Sequence, residues 1–254
     1  MTEPVSLPQR GAKPRSTGRT HILDKGLPVR FIDDQLDVVG EFVDLVKLGW
    51  GTSVVTPNLE DKLGTYRAHQ VEVCFGGTLF ELAYLQGRVD EYIDWLTSLG
   101  VNSVEISDGT LEMSGSDKLD IITRLAPDFT VYSEVGSKDS TAIVTPARWV
   151  RAIREELEAG ASHVILEGRE SGTAGMYRES GEIRMGLIDE IIESGIAVDH
   201  LVFEAPTKQQ QVWLFKHIGP EINLGNIPLE EALGVETLRL GLRADTLLTF
   251  HGKD

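Results

Sequence analysis

Apolar residues follow two rhythms along this chain. Short β-rich runs fall at 21–24, 43–48, 71–75, 103–107, 130–135, 163–167, 200–204 and 222–225. Between them lie longer stretches in which apolar side chains recur every three or four residues, the period of a helix with one buried face. Ile32, Leu36, Val39 and Phe42 mark a helix over 32–43. Leu82, Leu85, Val89, Ile93 and Leu96 mark one over 79–99, and Trp149, Ile153 and Leu157 one over 146–159, where Pro146 suits a first turn. Further helices are predicted at 181–195, 207–218 and 228–242, with weaker ones at 58–68 and 116–125.

Strands that alternate with helices predict a parallel sheet. Eight of them point to a closed (β/α)8 barrel of the TIM type rather than an open sheet. No linker-like or low-complexity segment interrupts residues 20–250, which read as one barrel domain. Residues 1–19 read as a flexible N-terminal arm.

The strands end in polar groups. Asp24 closes His21-Ile22-Leu23, and Lys47 follows Asp44-Leu45-Val46. Glu105 follows Val104, and Glu134 precedes Val135-Gly136. Glu167 and Arg169 follow Val164-Ile165-Leu166, Glu204 follows Leu201-Val202-Phe203, and Asn223 and Asn226 flank Leu224-Gly225. In a barrel the C-terminal strand ends converge on the face where active sites form. Buried charges persist there when they are paired or bind a ligand. Such a set offers hard oxygen donors for Mg²⁺ together with cations for phosphate or carboxylate. Glu105, Glu134 and Glu167, from three neighbouring strands, are the candidate metal ligands, and Lys47 and Arg169 the candidate grips for anions. Asp24, Lys25 and Glu204 are further candidates for substrate binding. So are Asn223 and Asn226, just before a helix expected near Pro228.

Composition narrows the classes. The 254-residue chain carries a formal net charge of −16, a field that repels nucleic acid and anionic membrane. Its single cysteine, Cys74, excludes an intramolecular disulfide and a Cys-rich zinc site. No apolar run is long enough to span a membrane, and the first twenty residues lack the apolar core of a secretory signal. The expected compartment is the cytoplasm. No glycine-rich nucleotide fingerprint follows a strand.

Several of these stretches also resemble one family. They are Lys47-Leu-Gly-Trp-Gly-Thr-Ser53, Gly76-Gly-Thr-Leu-Phe-Glu81, Glu105-Ile-Ser-Asp-Gly109, Ser133-Glu-Val-Gly136, Glu167-Gly-Arg-Glu-Ser-Gly172, Val202-Phe-Glu-Ala-Pro206 and Glu236-Thr-Leu-Arg-Leu-Gly-Leu-Arg243 with Asp245. Together they are similar to phosphosulfolactate synthase over about residues 21–248. The resemblance implies a (β/α)8 barrel and a Mg²⁺-assisted addition of sulfite to phosphoenolpyruvate, giving (2R)-2-O-phospho-3-sulfolactate. In methanogens that step begins coenzyme M biosynthesis. It also implies a homo-oligomer with small anionic substrates, and it carries a general-acid role onto Lys138. The chain departs from the family pattern at Phe75, where the family has proline, and at Ser137-Lys138, where it has two lysines. Two other functions fit a barrel with this rim. One is a stress-protection protein that keeps the barrel without turnover; the family that the motifs resemble also includes plant heat-stress-associated proteins. The other is a class I aldolase with a Schiff base on Lys47 or Lys138.

Overall fold

The computed structural model describes residues 5–111, 113–136 and 144–252. Eight parallel strands close into a barrel in sequence order: β1 (Thr20–Asp24), β2 (Leu45–Leu48), β3 (Glu72–Phe75), β4 (Ser103–Ile106), β5 (Thr130–Val135), β6 (His163–Leu166), β7 (Leu201–Glu204) and β8 (Asn223–Ile227). The helices are α1 (Val29–Val39), α2 (Thr52–Val55), α3 (Leu59–Ala68), α4 (Gly77–Leu85), α5 (Val89–Ser98), α6 (Gly115–Leu125), α7 (Pro146–Glu158), α8 (Met185–Glu193), α9 (Lys208–His217), α10 (Ala232–Arg239) and α11 (Ala244–His251). The (β/α)8 barrel expected from the sequence is the observed fold.

Strand parity divides the core in two. Ile22, Val46, Leu48, Val73, Phe75, Val104, Ile106, Leu166 and Phe203 face outward and pack under the helices. Leu45, Cys74, Tyr132, Ile165 and Val202 face inward and fill the barrel. Side chains on a strand alternate between faces, so each residue two positions beyond an inward one also points inward. That rule sends Lys47, Glu105, Glu134, Glu167 and Glu204 to the upper end of the interior. It sends Asp24, two positions after outward Ile22, toward the helices.

Two predicted helices are divided. The stretch expected as one helix over 79–99 is α4 and α5, separated at Gly87. Gly87 takes a left-handed φ of 66°, its N–H bonds to Tyr84 O at 2.9 Å, and Arg88 N bonds to Ala83 O at 2.8 Å. This is a Schellman ending, which glycine adopts without a Cβ penalty. Gly241 ends α10 in the same way, and α11, absent from the sequence reading, follows it. The N-terminal stretch expected as a flexible arm lies against the barrel's lower end. Arg10 pairs with Glu236 at 2.8 Å, Lys13 donates to Gly40 O at 3.0 Å, and Arg15 pairs with Asp44 at 3.0 Å.

Candidate active site

The upper ends of β2 and of β4 to β7 supply one buried charged network. Lys47 Nζ lies 3.0 Å from Glu105 Oε2 and 3.0 Å from Glu204 Oε1. Glu105 Oε1 accepts from Gly77 N at 2.7 Å, at the start of α4. Glu204 Oε2 accepts from Gly168 N at 2.9 Å, and Glu167 Oε1 from Arg169 N at 2.6 Å. Burial alone would lower the pKa of the Lys47 ammonium. Glu105, Glu204 and Glu134 overcome it and hold that pKa well above the usual lysine value. These carboxylates favour the ammonium form of Lys47. Burial raises the pKa of the Glu105 carboxyl; Lys47 opposes the shift, while Glu134 and Glu204 add to it.

The network opens into a cavity of about 270 Å³. Glu105, Glu134, Glu167, Glu170 and Glu204 line it, against the cations Lys47 and Arg169. Among the described residues of its lining, carboxylates outnumber cations. Glu134, Glu167 and Glu204 each bring an oxygen within 4.8 Å of the other two, and all three are buried. Three buried hard oxygen donors gathered this closely fit a divalent cation of the Mg²⁺ type. Trp50 (φ 55°), Arg169 (φ 59°) and Asn226 (φ 57°) also line the cavity, and each holds a left-handed backbone that non-glycine residues seldom adopt. Strain of this kind collects at functional sites, where the surrounding structure over-determines it.

With the fold and site in place, comparison with known proteins gives one answer. The family model described as (2R)-phospho-3-sulfolactate synthase (ComA) matches residues 8–245. The chain belongs to the phosphosulfolactate synthase family. It is 44% identical over 244 residues to the phosphosulfolactate synthase of Bacillus subtilis (strain 168), covering 95% of this chain and 97% of that protein. It is 42% identical over 246 residues to the phosphosulfolactate synthase of Methanothermobacter thermautotrophicus, covering 94% and 95%. Among solved structures, 3-hexulose-6-phosphate synthase superposes with a TM-score of 0.56 at 14% identity, covering 87% of this chain and 98% of that one; this likeness concerns the fold alone. The resemblance read from the motifs is the family found, and the expected enzyme class goes with it.

For a member of this family, the structure sorts the residues expected at the site. Lys47, Glu105, Glu134, Glu167, Arg169, Glu204 and Asn226 share the cavity. Among the described residues the carboxylates that lie within 4.8 Å of one another are Glu134, Glu167 and Glu204, while Glu105 and Glu204 alike meet Lys47 at 3.0 Å and a backbone N–H, of Gly77 and Gly168 respectively. Asp24 does not reach the cavity. It faces α3, where its Oδ2 meets Lys62 Nζ and Tyr66 Oη at 2.8 Å each, while Oδ1 accepts from Gly26 N and Leu27 N. Asn223 stands at the opposite end of the barrel. Its amide bridges Arg19 N, Asp199 O and Leu201 O, because it opens β8 rather than closing it. Lys25 is exposed, with Nζ 5.4 Å from the centroid of the Trp50 ring, and it does not line the cavity. Lys138 lies outside the described residues.

Sequence reasoning missed the supports behind this ring. Lys118 and Glu156 are buried and paired at 2.8 Å, and Glu81 accepts from Thr110 N at 3.2 Å. A signal for two of them was present. Lys118, Ile122 and Leu125 form an i, i+4, i+7 stripe on α6, as Trp149, Ile153 and Glu156 do on α7. A charge on such a stripe is turned toward the core and needs a buried partner.

Proposed function

We propose that this protein adds sulfite to C3 of phosphoenolpyruvate with Mg²⁺, giving (2R)-2-O-phospho-3-sulfolactate. The observation that carries the reading is the gathering of Glu134, Glu167 and Glu204 beside Lys47 and Arg169 in one cavity, in a chain of this family. The sulfite sulfur lone pair forms the C–S bond at C3. The C2–C3 π electrons move toward C2 and the carboxylate, and a proton then adds at C2. Glu134, Glu167 and Glu204 would hold the Mg²⁺, which when bound supplies an electrophile for the charge that develops on the carboxylate. Lys47, kept as an ammonium, places a fixed positive charge at the cavity floor without giving up its proton. The Arg169 guanidinium suits a planar oxyanion such as carboxylate. The proton at C2 is assigned to Lys138 on the family pattern. Chemistry that builds negative charge on an enolate gains most from cations held in place before reaction, and Lys47 is such a cation.

The expected substrates are small anions, and the cavity's size agrees with that class. Among the described residues no helix is long and apolar enough to cross a membrane. A cytoplasmic homo-oligomer is the expected form, and exposed Val54, Val55, Leu82 and Leu85 offer apolar area for self-association. The product would enter coenzyme M synthesis or another sulfonate route. The test is incubation of purified protein with phosphoenolpyruvate, sulfite and Mg²⁺, following loss of phosphoenolpyruvate. Loss at the wild-type rate and not with Lys138→Ala supports the reading. No loss beyond that control points instead to the non-catalytic, stress-protection role.

A further inference from the structure

The three glutamates that gather for a metal share a second feature. Each stands one residue past the hydrogen-bonded ladder on one side. The β4–β5 register ends at Ile106 with Ser133, just before Glu134. The β6–β7 register ends at Leu166 with Phe203, just before Glu204, and Glu167 follows the end of β6. A buried main-chain carbonyl beyond its ladder has no strand partner and needs a donor from elsewhere. Here each of these carbonyls is taken by a group from outside the sheet. Glu134 O accepts from Lys118 Nζ at 2.6 Å. Glu167 O accepts from Met176 N at 2.8 Å, and Glu204 O accepts from Tyr177 Oη at 2.5 Å.

The donors are themselves fixed. Lys118 spends its remaining hydrogen bonds on Asp108 Oδ1 at 3.0 Å and Glu156 Oε1 at 2.8 Å, and Glu156 Oε2 accepts from Ser133 Oγ at 2.5 Å. Tyr177 is buried, and its ring packs on Gly168, where an added Cβ would lie 2.6 Å from the ring and 2.9 Å from Glu204 O. Adjacent residues Met176 and Tyr177 therefore hold two of the three strand ends from one segment. Metal coordination tolerates a distance error of about 0.2 Å, so ligands on unpinned strand ends would lose affinity.

We infer that Tyr177 and Lys118 are positioning residues: through the carbonyls of Glu204 and Glu134 they set the spacing of the carboxylates that hold a divalent cation. This rests on the metal reading of the proposed function and adds residues no family motif above contains. Tyr177→Phe removes one hydroxyl and keeps the ring, so it is the least disruptive probe. Tyr66→Phe is its control, a buried tyrosine whose hydroxyl serves Asp24 away from the cavity. Mn²⁺ binding is measured by calorimetric titration on substrate-free protein, together with thermal unfolding. The expected result is a Mn²⁺ dissociation constant raised about tenfold or more in Tyr177→Phe, the usual cost of losing an outer partner of a metal ligand. Tyr66→Phe should bind Mn²⁺ as the wild type does, at a comparable loss of stability. The double variant Lys118→Met/Glu156→Leu, which removes both buried charges, should weaken Mn²⁺ binding in the same direction while remaining folded. Wild-type affinity in Tyr177→Phe would overturn the positioning role alone. Absence of Mn²⁺ binding by the wild type would overturn the metal reading and this inference together.

Discussion

Replacing Asp24 by alanine separates a residue that closes a strand from a residue that serves the site. Asp24 is buried, and its carboxylate is shared among the Lys62 ammonium, the Tyr66 hydroxyl and two backbone N–H groups. Lys62 is only 2% exposed, so the substitution strands a charge and a phenol in the core. Removing one partner of a buried ion pair costs about 3–5 kcal/mol, because the other charge is left uncompensated. In a domain of this size each kcal/mol lowers the midpoint by about 2–4 °C, so Asp24→Ala should melt about 10 °C lower. Far below that midpoint its KM for phosphoenolpyruvate and its Mn²⁺ affinity should match the wild type, since Asp24 is turned away from the cavity. Thermal unfolding by circular dichroism and initial rates at low temperature measure the two quantities on one preparation. A tenfold rise in KM with an unchanged midpoint would refute the parity argument and return Asp24 to substrate binding.

Glu204→Gln should weaken Mn²⁺ binding more than Glu105→Gln does, as titration of both variants will report; the reverse order would restore Glu105 to the metal set. Gly175→Ala should abolish metal binding, because at φ 59° its Cβ would fall 1.9 Å from Glu167 O and push that strand end away. Borohydride with a carbonyl substrate should leave Lys47 unlabelled near neutral pH, and a Lys47 adduct found by mass spectrometry would support the aldolase reading. His163 is held neutral by burial first and by Arg19 and His200 next, its pKa pushed down to about 4. The unfolded chain then binds the extra proton more readily, so stability present above about pH 6.5 should fall by up to about 3 kcal/mol as pH drops toward 4. Urea unfolding across that range should show a shallower slope in His163→Gln, and an equal slope would refute the assignment.

Much of this was legible in the chain. The alternation of short β runs with helical stretches led to the closed barrel, since a parallel sheet buried on both faces leaves that rhythm in the sequence. The strand-end charges led to the correct end of the barrel for Lys47, Glu105, Glu134, Glu167, Arg169 and Glu204. Two errors were avoidable by the same rule of two that defines a strand. Ile22 is a core residue under the helices, so Asp24 must face them too. Asn223 precedes Leu224-Gly225 and so belongs to the beginning of its strand, far from the rim. The division of 79–99 was also signalled, by Gly87 between two good helix formers.

Other features had no local trace. Lys47 meets both Glu105 and Glu204, which lie 58 and 157 residues from it along the chain. The carbonyl clamps by Lys118 and Tyr177 join positions 16 and 27 residues apart. Sequence alone determined the period of burial, and with it the barrel and the inward-facing ring, because period and parity are properties of neighbouring residues. Tertiary structure alone decided which charges in that ring neutralise one another and which remain for a ligand. That choice is made by distances of about 3 Å across a closed sheet, and chain closure, not chain order, sets those distances.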